Sequence, residues 1–217
     1  MPRFSLVIFD CDGVLVDSET ISNRVLAETL TANGLTTSPE QAVEFYKGRL
    51  LRDVTALAEE RRGGPLPEGW IQQFEAARVI AFDDELKAIE GAREAVETVK
   101  AAGIDVCVAT QGKPSKTAQT LGITGLRDLF DEDAIFTAYE VPRGKPFPDL
   151  FLNAARTRGV EPANTAVVED TDIGVTAAVA AGMTAFGYAH ETPAAALESA
   201  GAKSFTEFNQ LVVQLIG

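Results

Sequence analysis

A short apolar run, Leu6-Val7-Ile8-Phe9, ends on Asp10, and the next clear run of the same kind does not begin until Ile104. Apolar runs of this length, bounded by polar or turn residues, read as strands buried on both faces. Ile104 to Ala109, Thr165 to Val168 and Met183 to Phe186 read the same way, and Ala134 to Phe136 is a shorter, weaker case. Helical patterns lie between them, at roughly 92–102, 115–121, 148–158 and 173–181. Gly103, Gly159 and Gly182 each stop a helix just ahead of an apolar run. Pro114 and Pro148 suit the first turn of a helix. Strand, helix and strand in alternation predict an α/β fold with a Rossmann-like parallel sheet core, helices covering both faces.

The long gap after the first strand needs a separate explanation. It is helical in pattern at about 18–33, 39–47, 50–61 and 69–86, broken by Arg62-Gly63-Gly64-Pro65-Leu66-Pro67. A helical cap domain inserted after the first strand accounts for it, with 1–16 and 87–217 as the α/β catalytic core and 17–86 as the cap. The cap is expected over the C-terminal edge of the sheet, where open α/β sheets bind ligands.

Composition narrows the chemistry. A net charge of -13 argues against nucleic acid as a partner, since that requires a basic footprint. No apolar stretch reaches the ~18 residues that span a bilayer, so no membrane partner is expected, and no secretory signal pattern opens the chain. Cys11 and Cys107 sit in apolar, strand-like contexts without a histidine nearby, so a reducing, cytoplasmic setting is expected rather than disulfides or thiol catalysis. A monomer or weak homo-oligomer is expected at this size. His190 is the one histidine, which excludes a zinc site built on several imidazoles. A Ser-His-Asp triad lacks its G-x-S-x-G elbow, and His190 reads as a loop residue. Chemistry must rest on carboxylates, lysines and hydroxyls.

Those groups fall at strand ends. Asp10 follows the first strand, and Asp12 and Gly13 follow on a turn that glycine lets bend sharply. Thr110 closes the second strand, Lys145 follows the weak one, and Glu169 and Asp170 close the Thr165–Val168 run. Each has a plain structural reading: an acidic turn, a helix cap, a surface lysine. Their joint arrival at one sheet edge favours a site. Magnesium takes hard oxygen ligands and needs few carboxylates. A cation and a lysine offset the repulsion between a carboxylate and a phosphate. An aspartate nucleophile then divides hydrolysis into two easier steps.

The segment Asp10-Cys11-Asp12-Gly13-Val14-Leu15-Val16-Asp17-Ser18-Glu19 resembles the first motif of the haloacid dehalogenase superfamily. Thr110 resembles its second, Lys145 in Gly-Lys-Pro-Phe-Pro-Asp its third, and Val167-Val168-Glu169-Asp170-Thr171 with Gly174 its fourth. The motifs stand in order over essentially the whole chain, and the helical insert matches the cap of the β-phosphoglucomutase-like and sugar-phosphate phosphatase branch. The resemblance implies that Asp10 attacks phosphorus and that Asp12 protonates the leaving oxygen and then activates water. It implies that Asp10, the Asp12 carbonyl and Asp170 hold Mg2+, with Glu169 in or beside the outer coordination sphere. Thr110, Lys145 and backbone N–H groups, that of Gln111 among them, would bind the phosphoryl group of a small phosphorylated metabolite. Where the second motif commonly reads Ser-Asn, this chain reads Thr110-Gln111-Gly112. In the cap, Tyr46-Lys47-Gly48-Arg49-Leu50-Leu51-Arg52 gathers three cations near a glycine; Lys47 with Arg49 or Arg52 is expected to face substrate, a solvated helix junction being the other reading. The stretch Phe82 to Ala92 resembles the sugar-acid phosphatases of the branch. A dehalogenase lacks the second aspartate supplied here by Asp12. A phosphomutase of the β-phosphoglucomutase type carries a histidine where this chain has Ser22, which favours water as acceptor. Phosphomutase and a non-catalytic binding member of the fold remain the alternatives.

Overall fold

The computed structural model describes residues 3–46, 49 and 51–217. The chain divides into two compact units, one formed by Met1–Val16 with Ala88–Gly217 and the other by Asp17–Lys87.

The first unit is built on six parallel strands: β1 (Leu6–Phe9), β2 (Asp105–Thr110), β3 (Ile135–Thr137), β4 (Thr165–Glu169), β5 (Thr184–Tyr188) and β6 (Lys203–Phe205). Their order across the sheet is β3-β2-β1-β4-β5-β6. All five pairings are parallel, with Phe9 opposite Val108 on one side and Val168 on the other. Every residue of β1 is fully buried, as expected for a central strand covered on both faces; burying such side chains contributes roughly 1.5–3 kcal/mol each. The chain steps outward from β1 to β2 and β3, then returns to lay β4 on β1's other side. The strand order therefore reverses between β1 and β4, and the crevice beyond their C-terminal ends is the usual ligand position of such sheets.

Helices α5 (Ala92–Ala101), α6 (Pro114–Ile123), α7 (Asp149–Thr157), α8 (Asp172–Ala180), α9 (Ala194–Ser199) and α10 (Phe208–Ile216) connect or flank the strands. Pro114 opens α6 at its first turn, whereas Pro148 stands just before α7. The strand near 183 begins one residue later than the sequence suggests and runs on to Tyr188. β6 and the two helices around it are absent from the sequence reading. β6 has three residues, Lys203-Ser204-Phe205, of which only Phe205 is buried, too short to show a period. Its place is fixed by pairing with β5 and by an aromatic cluster, Phe205 lying 5.3 Å from Tyr188 and 5.5 Å from Phe208.

The second unit is helical: α1 (Glu19–Ala32), α2 (Pro39–Tyr46), α3 (Leu51–Arg62) and α4 (Trp70–Glu85). α1 packs on both α4 and α2, burying Val25, Leu26, Leu30, Trp70, Phe74 and Phe82. Asn33 donates to Gln73 at 3.1 Å and Arg24 to Glu85 at 2.6 Å, tying α1 to α4 through polar pairs at its edges. The ends of the unit meet where the Asp17 N–H donates to the Lys87 carbonyl. Among the described residues no helix is long and apolar enough to cross a membrane.

Candidate active site

The Asp10 N–H donates to the Val168 carbonyl at 2.9 Å. That contact extends the β1–β4 ladder by one residue and sets Asp10 beside Glu169 at the point where the strand order reverses. Asp10, Glu169 and Asp170 are all buried, and a carboxylate oxygen from each lies within 4.8 Å of the other two. Three carboxylates this close, in so little water, need compensating positive charge.

Lys145 supplies part of it. Its ammonium donates to Asp10 Oδ1 at 2.8 Å, to Glu169 Oε1 at 2.6 Å and to the Ala109 carbonyl at 3.1 Å. All three donor positions of the lysine are thereby used. The Phe151 ring lies 5.1 Å from the same nitrogen. Burial alone would lower the Lys145 ammonium, but Asp10 and Glu169 outweigh it and hold the pKa above its ordinary value. Burial pushes the Asp10 carboxyl above the usual carboxylate range; Lys145 pulls it part of the way back, and Glu169 and Asp12 add to the rise. A second cation at the cluster would complete the compensation.

Glu169 serves its neighbours with both oxygens. While Oε1 takes Lys145, Oε2 accepts the Asp170 N–H at 3.0 Å, the Thr171 N–H at 3.0 Å and the Thr171 hydroxyl at 2.9 Å. The Thr171 hydroxyl in turn accepts the Gly174 N–H and caps α8. Two glycines make this arrangement possible. A Cβ on Gly13, whose φ is +76°, would stand 2.3 Å from Asp170 Oδ2, and one on Gly174 would stand 1.9 Å from Glu169 Oε1.

Thr110 is buried at the end of β2, where its hydroxyl accepts the Gly112 N–H at 3.0 Å. Gln111 points its side-chain carbonyl at Gly144, where a Cβ would lie 2.3 Å away, and that buried oxygen has no hydrogen-bond partner among the described residues. Asp12 is partly buried and pairs with the ammonium of Lys116, on the first turn of α6. Sequence reasoning missed Lys116. The signal available was a lysine in a first turn that holds no acid, where the helix dipole disfavours a cation.

The structure thus brings Asp10, Thr110, Lys145, Glu169 and Asp170 to one edge of the sheet, with Asp12 and Gln111 following on the adjoining turns. Lys47, Arg49 and Arg52 belong to the helical unit. Arg49 donates through Nε to the Phe45 carbonyl at 2.9 Å, Arg52 is exposed and lies 3.4 Å from Asp53, and Lys47 falls outside the described residues. Burial raises the pKa of both cysteines well above the ordinary thiol value, which leaves no reactive thiolate. His190 follows β5 in an exposed loop, stacked on Tyr188 at 5.5 Å.

A buried carboxylate at a sheet switch point, clasped by a lysine and flanked by two further buried acids, marks the candidate active site of an α/β enzyme. The family model for haloacid dehalogenase-like hydrolases matches residues 4–182, and the chain belongs to that family. It is 31% identical to the 6-phosphogluconate phosphatase of Escherichia coli K12 over 97% of this chain and 94% of the relative. It is 30% identical to a fructose-1-phosphate phosphatase of the same organism over 84% of this chain and 95% of that protein. The solved structure of a family hydrolase from Deinococcus radiodurans R1, with bound phosphate and sodium, superposes with a TM-score of 0.79 at 30% identity, covering 96% of this chain and 93% of that one. These named relatives are phosphatases, that is, phosphoric monoester hydrolases, and this chain falls in that class of enzyme.

Proposed function

We propose that the protein is a Mg2+-dependent phosphatase of small phosphorylated sugars or sugar acids, working through an aspartyl-phosphate on Asp10. The observation that carries this reading is the buried cluster of Asp10, Glu169 and Asp170 held together by Lys145. The donor set fits magnesium, because hard carboxylate oxygens are what that ion selects. Asp10 and Asp170 would hold it with the Asp12 backbone carbonyl; Glu169, with both oxygens already accepting hydrogen bonds, would support from outside. Bound there, the ion supplies charge stabilisation for the phosphoryl oxygens.

The chain's own groups do the rest. Asp10 attacks phosphorus, and the ester bond breaks as the new acyl phosphate forms. Asp12 gives its proton to the departing alkoxide and then takes one from the water that cleaves the acyl phosphate. Thr110 binds the phosphoryl group, and Lys145, its three donors held by Asp10, Glu169 and the Ala109 carbonyl, helps to bind it through its charge. The Thr110 hydroxyl already accepts the Gly112 N–H, which leaves its O–H to donate. The second unit acts as the cap, and Arg49 and Arg52 are its candidates for contact with the anionic substrate, with Lys47 the third. The substrate class follows the relatives, which are named for 6-phosphogluconate and fructose 1-phosphate.

The test is a phosphate-release screen over sugar, sugar-acid and polyol phosphates with and without Mg2+, with isomerisation of β-glucose 1-phosphate followed in parallel. Magnesium-dependent release is expected, and Asp10→Asn should abolish it while the far-UV circular dichroism stays native. Full activity in Asp10→Asn would overturn the nucleophile, and isomerisation without release would overturn water as acceptor.

A further inference from the structure

We infer that Lys116 is a positioning residue for Asp12: it holds the Asp12 carboxyl in the orientation from which it serves the leaving oxygen. The inference rests on the phosphatase reading above and adds a residue to it.

Three observations carry it. First, the Lys116 ammonium pairs with Asp12 Oδ1 across two segments far apart in sequence, and both side chains are mostly buried, at 13% and 16% exposure. A pair this sheltered is not the loosely held surface kind that contributes little. Second, the lysine stands where helix energetics disfavour it. The first turn of α6 has no acid, and the partial positive charge at a helix N-terminus repels an ammonium. Helix stability therefore does not account for a lysine at this position, whereas an acidic partner outside the helix does. Third, the chain leaves room for its stem. A Cβ on Gly112 would lie 3.5 Å from Lys116 Cδ, 3.3 Å from Thr110 Oγ1 and 3.1 Å from Thr117 Oγ1. Gly112 thus lets the lysine stem and the Thr110 hydroxyl crowd the same turn, so the loop that carries Thr110 also steers the arm that reaches Asp12.

A group that acts only through a leaving-group acid has a kinetic signature. A sugar alkoxide needs its proton as the ester bond breaks; p-nitrophenolate leaves without one. The experiment compares kcat/KM for p-nitrophenyl phosphate with that for the sugar phosphate released fastest in the screen, in the parent enzyme and in Lys116→Met, Lys116→Arg and Asp12→Asn. Methionine keeps much of the apolar stem over Gly112. For Lys116→Met the expectation is a fall of about 10- to 100-fold on the sugar phosphate, at or below the roughly 100-fold lower limit for loss of a positioned acid, since the acid itself remains, with at most about a threefold change on the aryl ester. Lys116→Arg should recover most of the loss. Equal losses on both substrates would mark a merely structural lysine and overturn the inference. If Asp12→Asn shows the leaving-group dependence and Lys116→Met does not, the inference alone falls. If Asp12→Asn shows none, the acid role of Asp12 falls and Lys116's role with it.

Discussion

At the scale of single residues, the site is an exercise in charge compensation. Lys145 spends its three donors on Asp10, Glu169 and the Ala109 carbonyl. Removing one partner from a buried ionic cluster destabilises by about 3–5 kcal/mol, because the remaining charges have no water to turn to. Lys145→Met is therefore expected to lose activity and also to unfold at markedly lower denaturant concentration, as read by urea titration. Unchanged stability would mean that the carboxylates do not depend on this lysine. The fourth motif was legible in outline from the sequence, but Glu169 reads there as one more acid near a metal. Only its hydrogen bonds show that both its oxygens are taken, and only the space around Gly174 shows why no side chain stands at that position.

At the scale of elements, the sheet separates the proposed chemistry from support. The C-terminal ends of β1, β2 and β4 carry Asp10, Thr110 and Glu169, whereas the N-terminal end of β2 carries Asp105. Arg158, just after α7, donates to both oxygens of Asp105 at 2.7 Å and also approaches Asp131 at 3.4 Å and Asp133 at 3.2 Å. Charged hydrogen bonds of this kind contribute roughly 1.5–3 kcal/mol, less here for the solvent around the carboxylates. Arg158→Met should lower Tm by about 2–4 °C per kcal/mol lost and leave kcat unchanged, since it acts at the far end of β2 from Thr110. A loss of kcat at full stability would contradict that division. Strands with continuous apolar runs were legible because full burial writes itself into composition. β6 was not, because a three-residue edge strand is specified by its neighbours rather than by its own pattern.

At the scale of the whole molecule, a chain of net charge -13 concentrates three buried carboxylates in its core unit. A cation that binds there should stabilise the native state by mass action, by about 2.7 kcal/mol at a hundred times its Kd. Melting followed by differential scanning fluorimetry should therefore show Tm rising with Mg2+ to a plateau in the wild-type protein, and a much smaller rise in Asp170→Asn. A wild-type Tm indifferent to Mg2+ would count against the metal site without any appeal to activity.

The sequence by itself determined the α/β class, the helical character of the stretch between β1 and β2, and which residues stand at strand ends, because local hydrophobic period and turn chemistry are properties of neighbours in the chain. Only the tertiary structure decided how those residues share their hydrogen bonds. The pairing of Lys116 with Asp12, the hold of Lys145 on Asp10 and Glu169 Oε1, and the closeness of Asp170 to Gly13 join segments far apart in sequence. Such contacts are set by strand order and packing, which no local pattern encodes.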